Sequence, residues 1–173
     1  IWDGRRRRLF AARDRLGIKP FYYYSNGDIL VFASEIKSLL QHPRVRAAVD
    51  YQGLQDYLDL QYCLGDKTLF AGITRLQPGH CLSWEDGQLQ VRRYWDLDFA
   101  PDTSTSEADF AAQISALTED AVRLRLRSDV PVGAHPSGGL DSSVISCLAA
   151  ELLQATPLHV FTCGFKDADR YDE

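Results

Sequence analysis

Seven residues late in the chain, Ser137-Gly138-Gly139-Leu140-Asp141-Ser142-Ser143, have the types and spacing needed to hold a phosphate group. Two adjacent glycines let a backbone turn sharply and approach an anion with no Cβ in the way. A helix beginning just after them, near Leu140, would aim free N–H groups and its positive dipole end at that anion. Ser137, Ser142 and Ser143 add hydroxyl donors. Asp141 would repel phosphate in such a nest unless a cation stood between them, which points to Mg²⁺. No Lys follows the glycines, so this is not a Walker A loop, and it lacks the G-x-G-x-x-G spacing of dinucleotide binders. Ser-Gly-Gly alone reads better as a plain strand–turn–helix junction capped by Asp and Ser. The full seven residues, set between a strand and an amphipathic helix, favour the anion site.

Positioning that loop takes a strand before it, a helix behind it and a second strand. Val130 to Ala134 supplies the first strand and Leu158 to Phe165 the second. Between them Leu140, Val144, Leu148 and Leu152 share one helical stripe, with Ile145, Ala149 and Leu153 beside it. The pattern predicts a βαβ unit with parallel strands and a right-handed crossover. Another helix precedes it: Phe110, Ile114, Leu117, Ala121 and Leu124 recur every three or four residues. Ser104 and Glu107 have capping-box spacing for its start. Residues 99–106, rich in small polar types, read as a linker.

Residues 1–98 have a different texture, of strands and turns. Arg8 to Arg13 alternate loosely, Pro20 to Tyr24 are aromatic-rich, and Asn26-Gly27 before Ile29 to Ala33 is a hairpin signal. A short helix is expected from Ser34 to Leu40, stopped by Pro43, and a second from Tyr51 to Leu60 with Asp50 as its cap. His80 to Glu85, Asp86-Gly87 and Gln88 to Trp95 form another hairpin pattern. The fold class is therefore α+β, built on an antiparallel sheet, followed by α/β.

A chain of 173 residues has room for one ordinary domain or two small ones. With 45% apolar and 25% charged residues it can build a core without disulfides or a structural metal. A net charge of −5 argues against general nucleic-acid or anionic-membrane binding, and Arg5 to Arg8 read as a solvated turn. Cys63, Cys81, Cys147 and Cys163 show no C-x-x-C or zinc spacing, so reduced thiols in a cytoplasmic protein are expected. No apolar run reaches membrane-spanning length, and Ile1-Trp2-Asp3-Gly4 opens no signal-peptide pattern. Without a single Met, and with Arg170-Tyr171-Asp172-Glu173 at its end, the sequence is expected to start and stop inside a longer protein.

Ser137 to Ser143 resemble the signature of the PP-loop ATP pyrophosphatases, which include asparagine synthetases, GMP synthetase and argininosuccinate synthetase. Segments upstream narrow the resemblance. Ala12-Arg13-Asp14-Arg15-Leu16-Gly17-Ile18-Lys19-Pro20, Tyr22-Tyr23, Ala33-Ser34-Glu35-Ile36-Lys37, Leu76-Gln77-Pro78-Gly79-His80 and Tyr94-Trp95 resemble the late part of the asparagine synthetase glutaminase domain. Asp129-Val130-Pro131-Val132-Gly133 resembles the family's approach to the loop. The resemblance runs in order along nearly the whole chain.

It implies the C-terminal part of an N-terminal-nucleophile (Ntn) glutaminase domain, glutamine amidotransferase type 2, over residues 1–98. It implies the first βαβ unit of a PP-loop domain, adenine nucleotide α-hydrolase-like, over 107–173. The implied activity is glutamine-dependent asparagine synthesis. Ammonia is released from glutamine, ATP adenylates the aspartate side chain with loss of pyrophosphate, and ammonia then attacks. Asp14 matches the family Asp that holds the glutamine α-amino group. Residue types alone make Asp14 an ion-paired turn residue beside Arg13 or Arg15. Ser137, Gly138, Gly139, Asp141 and Ser142 match the pyrophosphate loop, with Asp141 toward Mg²⁺. Pro136 and Cys163 match positions whose backbone lines the adenine, and Cys163 also reads as a small buried strand residue.

The implied partners are glutamine, aspartate and ATP, with no nucleic acid or membrane, and the resemblance allows a homodimer of the full-length protein. It places the nucleophilic Cys upstream of Ile1, so no catalytic residue falls within the chain, which alone is expected to be inactive. His135-Pro136 departs from the family's bulky apolar pair, and Pro136 removes one backbone donor. His135 reads as a strand residue, not a base. Two alternatives share the scaffold: another acyl-adenylating amidotransferase, such as a β-lactam synthetase, and a non-catalytic binding relative, which Pro136 favours.

Overall fold

A computed structural model describes residues 1–154 and 157–164 of the chain, which divides after Phe99 into two compact units. In chain order the first unit holds β1 (Trp2–Asp3), β2 (Arg8–Ala12), β3 (Tyr22–Ser25), β4 (Leu30–Ala33), α1 (Ile36–Leu39), α2 (Tyr51–Leu60), β5 (Ile73–Arg75), β6 (His80–Glu85) and β7 (Gln88–Arg93). Every pairing is antiparallel, in two sheets ordered β1-β2-β6-β7 and β4-β3-β5.

Two sheets form where one was expected, and β3 shows why. Successive strand residues face opposite ways, and Tyr22, Tyr23 and Tyr24 are apolar on both faces. Tyr23 turns inward and is buried with Leu76 and Leu82, against Ala11, Phe21, Leu30 and Leu89 from both sheets. Tyr22 and Tyr24 turn outward onto a second cluster, Leu39, Val45 and Ile73, under the short helix α1. Leu82 is wholly buried, a contribution of about 1.5–3 kcal/mol for a side chain of that size.

The turns follow local chemistry. The β6–β7 loop is two residues, Asp86 at φ 47° and Gly87 at φ 78°, the left-handed pair whose twist suits a hairpin. Between β3 and β4 the Asn26 carboxamide oxygen accepts from the N–H of Asp28 and of Ile29, giving a longer loop than a two-residue turn. At the start of α2 the Asp50 carboxylate accepts from Gln52 N at 3.0 Å and Gly53 N at 2.9 Å, the cap expected of it. The arginine run lies in a turn whose Arg5 and Arg6 N–H groups donate to Asp3. All four cysteines are free thiols.

The second unit contains α3 (Glu107–Arg125), β8 (Gly133–Ala134), α4 (Leu140–Leu153) and β9 (His159–Val160). The cap of α3 is Ser106, not Ser104: Ser106 accepts from Asp109 N, while Ser104 is held by Asp102 in the preceding turn. β8 and β9 are parallel, with Gly133 opposite His159 and Ala134 opposite Val160. Both strands are shorter than expected. Proline at 131 and at 136 brackets β8 with residues that carry no N–H for a ladder. Of the expected strand Leu158 to Phe165, Phe165 lies outside the described residues. So narrow a sheet covers little of the helices: Val122 and Ala149 are buried, whereas Ile114, Leu117 and Leu140 remain exposed. No helix among the described residues is long and apolar enough to cross a membrane.

Candidate functional site

Two constellations can be built, one in each unit. In the first, β2 ends at Ala12 and the chain turns back through Asp14 to Lys19. Asp14 uses both carboxylate oxygens in that turn, Oδ1 accepting from Ile18 N at 2.8 Å and Oδ2 from Lys19 N at 3.0 Å. The Lys19 and Ile18 N–H groups, in that order, hold its carboxyl below the ordinary carboxylate range. The ion pair with Arg13 or Arg15 does not form. The Arg13 guanidinium donates to backbone carbonyls instead, and Arg15 lies over the Trp95 ring, 5.7 Å from its centroid. A carboxylate offers about four acceptor positions, so an outside donor such as an ammonium group can share Asp14 with the N–H groups of its turn.

Three stretches far apart in sequence meet at this turn. Arg13 N donates to His80 O at 2.9 Å and Gly79 N to Asp14 O at 3.0 Å. Tyr94 N and Trp95 N both donate to Gly79 O, and the Tyr94 hydroxyl donates to Arg13 O at 2.6 Å. These bonds turn the chain out of β7 at Arg93, two residues before the expected strand end.

The second constellation is the loop between β8 and α4. Gly138 sits at φ 98°, a conformation side chains rarely adopt, so this is the glycine the turn requires. Gly139, the N-cap, is extended at φ −70° and ψ 162°, where any residue fits. The serine hydroxyls bond within the loop. The Ser142 hydroxyl accepts from Ser137 N at 3.0 Å, lies 3.1 Å from Ser137 Oγ and donates to Gly139 O at 3.1 Å. Ser143 Oγ donates to the same carbonyl at 2.8 Å. The hydroxyls read from sequence as ligand donors therefore brace the loop. The donors left facing out are the N–H groups of Leu140, Asp141 and Ser142 in the first turn, which have no intrahelical carbonyl to reach.

Asp141 is exposed on that first turn and forms no ion pair among the described residues. Pro136 lies just past the ladder. Its carbonyl accepts from the Thr162 hydroxyl at 2.7 Å, which ties the loop entrance to the chain beyond β9. Cys163 is exposed and lies beyond β9, not buried within a strand. The reason is local: Pro136 has no N–H for the next rung, so the pairing that would have enclosed Cys163 stops. His135 is also exposed, its ring 5.7 Å from that of Phe161. Beside the loop, a pocket of about 290 Å³ opens among Val122, Leu126, Ala134, Ile145 and Ala149, with Ser142 at its wall.

The structure brings together Pro136, Ser137, Gly138, Gly139, Asp141 and Ser142, and sets Asp14 in its own turn. Sequence reasoning missed Arg13, Tyr94 and Thr162 as residues that fix these turns. Arg13 and Tyr94 stand inside recognisable segments, but nothing in an arginine or a tyrosine announces that its partner is a distant carbonyl.

Comparison with known proteins returns two family matches, a glutamine amidotransferase domain over residues 1–95 and asparagine synthase over residues 113–173. Asparagine synthetase [glutamine-hydrolyzing] 3 of Bacillus subtilis is 41% identical over 175 residues, covering 99% of this chain and 28% of the relative. Asparagine synthetase [glutamine-hydrolyzing] 1 of the same organism is 35% identical over 167 residues, 96% of this chain and 26% of the relative. Amidase chyE of Penicillium rubens is 34% identical over 164 residues, 89% of this chain and 23% of the relative. The chain thus spans roughly a quarter of the length of these curated relatives.

Proposed function

Because the chain belongs to the glutamine-hydrolysing asparagine synthetase family, we propose that it forms part of an ATP-dependent ligase that amidates aspartate with ammonia from glutamine. In this reading residues 1–98 are the later part of an Ntn-type glutaminase domain, 99–106 a linker, and 107–173 the opening of a PP-loop domain. The observation that carries it is the loop at 137–143, a glycine turn whose N–H groups lead into a fourteen-residue helix. The two facing antiparallel sheets support the glutaminase assignment.

Each residue then has a task. Asp14, charged and held by two backbone N–H groups, accepts from the α-ammonium of glutamine. The N–H groups of Leu140, Asp141 and Ser142 receive pyrophosphate oxygens, and the bonds of Ser137, Ser142 and Ser143 keep those donors aligned. The largely apolar pocket beside Ser142, lined also by Arg125 and His135, suits a purine; Pro136 and Cys163 carry an adenine-lining role from the family resemblance alone. Asp141 fits a Mg²⁺ ligand of the kind that uses one protein carboxylate and leaves the other positions to phosphate and water. Bound there, Mg²⁺ would offset negative charge on the phosphates. Pro136 weighs less for a non-catalytic relative than sequence alone implies, because the loop beyond it closes through Ser137 and Ser142 all the same.

The test uses the complete protein that contains this chain, with glutamine- and ammonia-dependent synthesis measured side by side. Asp14→Asn should raise the KM for glutamine and leave the ammonia-dependent rate nearly intact. Asp141→Asn should shift the Mg²⁺ dependence of both. Equal loss of the two activities in Asp14→Asn would make that residue structural and remove the glutamine assignment.

A further inference from the structure

We propose that Arg13 is a positioning residue for Asp14, acting through the peptide that joins Gly17 to Ile18. The inference rests on the glutamine-binding reading of Asp14 given above. Arg13 makes no ion pair among the described residues. Its guanidinium donates instead to three carbonyls: Nε to Lys19 O at 2.8 Å, Nη1 to Leu76 O at 2.7 Å and Nη2 to Gly17 O at 2.8 Å. A planar fork with fixed donor directions can satisfy three such acceptors at once, which a lysine ammonium on a flexible stem cannot.

One of those acceptors matters most. Gly17 C=O and Ile18 N–H belong to the same rigid peptide plane. Arg13 grips that plane by its oxygen, and Asp14 Oδ1 takes the N–H on its other side at 2.8 Å. Guanidinium, peptide and carboxylate form a relay in which each hydrogen bond polarises the next. The Lys19 carbonyl held by Nε belongs to the residue whose own N–H meets Asp14 Oδ2. The third bond, to Leu76, moors the turn to a segment 63 residues away. Space around the fork is tight: a Cβ on Gly17 would lie 3.1 Å from Arg13 Cζ and 2.7 Å from Pro78 Cγ. Burial, followed by the nearby Arg75 charge, lowers the affinity of Arg13 for its proton, whereas Asp14 raises it.

The experiment compares Arg13→Lys, Asp14→Asn and the double variant in the complete protein, again with glutamine and ammonia as separate nitrogen donors. Arg13→Lys should raise the KM for glutamine about tenfold and leave the ammonia-dependent kcat within about twofold. Because Arg13 acts through Asp14, adding Arg13→Lys to Asp14→Asn should change that KM by less than about twofold more. A fully additive double variant overturns the proposal, since Arg13 would then act on its own. A raised KM in Asp14→Asn with none in Arg13→Lys overturns it too, and leaves the Asp14 reading standing. An unchanged KM in both removes that reading and the proposal with it. Should Arg13→Lys lose ammonia-dependent activity through misfolding, Arg13→Gln, neutral and with two amide donors in place of the three-way fork, takes its place. It must then raise the glutamine KM, and an unchanged value overturns the proposal.

Discussion

The two loop glycines should behave differently when each receives a methyl group. Gly138 at φ 98° lies outside the regions open to side chains, and Gly139 at φ −70° and ψ 162° lies within them. A Cβ forced into a sparsely populated conformation costs on the order of 1–3 kcal/mol. Taking about 2 kcal/mol, Gly138→Ala should lower the equilibrium constant for the intact loop roughly 30-fold, at about 1.4 kcal/mol per tenfold. The assay is aspartate-dependent ATP–pyrophosphate exchange in the complete protein, where kcat/KM for ATP should fall by about that factor. Gly139→Ala carries no such strain, and fewer unfolded conformations should leave its thermal midpoint unchanged or slightly raised. Any loss of exchange in Gly139→Ala then comes from the methyl group standing where the anion approaches, and Gly139→Val should abolish exchange. If Gly138→Ala keeps exchange within about twofold of wild type, the backbone argument is wrong. If Gly139→Val does so, the loop is a structural junction and the ATP reading falls with it.

Two further outcomes can be read from the first unit. Gly53→Ala, a change that stabilises an ordinary helix by about 1 kcal/mol, should here destabilise by about 1–3 kcal/mol or more, because the new Cβ would press into the backbone carbonyl of Thr68; a higher urea midpoint would refute this. The Lys67 ammonium first, and then the Leu64 N–H, hold the Asp56 carboxyl below its ordinary value of 3.8. A depressed folded-state value adds stability above the unfolded value that is lost as pH falls through the folded one. The urea midpoint should therefore drop below about pH 4, and more gently in Asp56→Asn; equal slopes in both proteins would contradict the assignment.

What was legible beforehand was chemistry confined to a few neighbouring residues. Asp50 announced α2 because a carboxylate before a helix meets its orphan N–H groups, and Asp86-Gly87 announced its hairpin because both residues tolerate positive φ. The glycine loop was legible for the same reason, down to the helix start at Leu140. Capping at Ser106 in place of Ser104 shows the limit of such rules: Asp102, two residues earlier, competes for Ser104. Strand lengths were less legible, since a strand lasts only as long as its neighbour can answer it. The second sheet and the convergence on Arg13 were not legible at all, as they depend on Leu76 and Tyr94, far along the chain.

Charge around the 137–143 loop limits how it can work. No Lys or Arg occurs from Ser128 to Phe165, so the loop itself carries no full positive charge, and the described cation nearest to it in the pocket lining is Arg125 at the end of α3. The N-terminus of α4 contributes the equivalent of about half an elementary charge, much less than a pyrophosphate group carries. Asp141 on the first turn adds a negative charge of its own. Such a loop cannot attract a polyphosphate by its own electrostatics alone, and its serines, bonded to the loop backbone, add rigidity instead of charge. Two sources could close the deficit: a divalent cation shared between Asp141 and the phosphates, and cationic side chains, from Arg125 in the neighbouring pocket or from elsewhere in the complete protein. The first would make Asp141 an asset, because the acidic group that repels bare phosphate would be the one that recruits the ion. In this arrangement the loop sets direction through N–H groups of fixed geometry while the ion supplies charge. On the proposed nucleotide-binding reading each part is inadequate alone, and affinity for the nucleotide would depend on both being present.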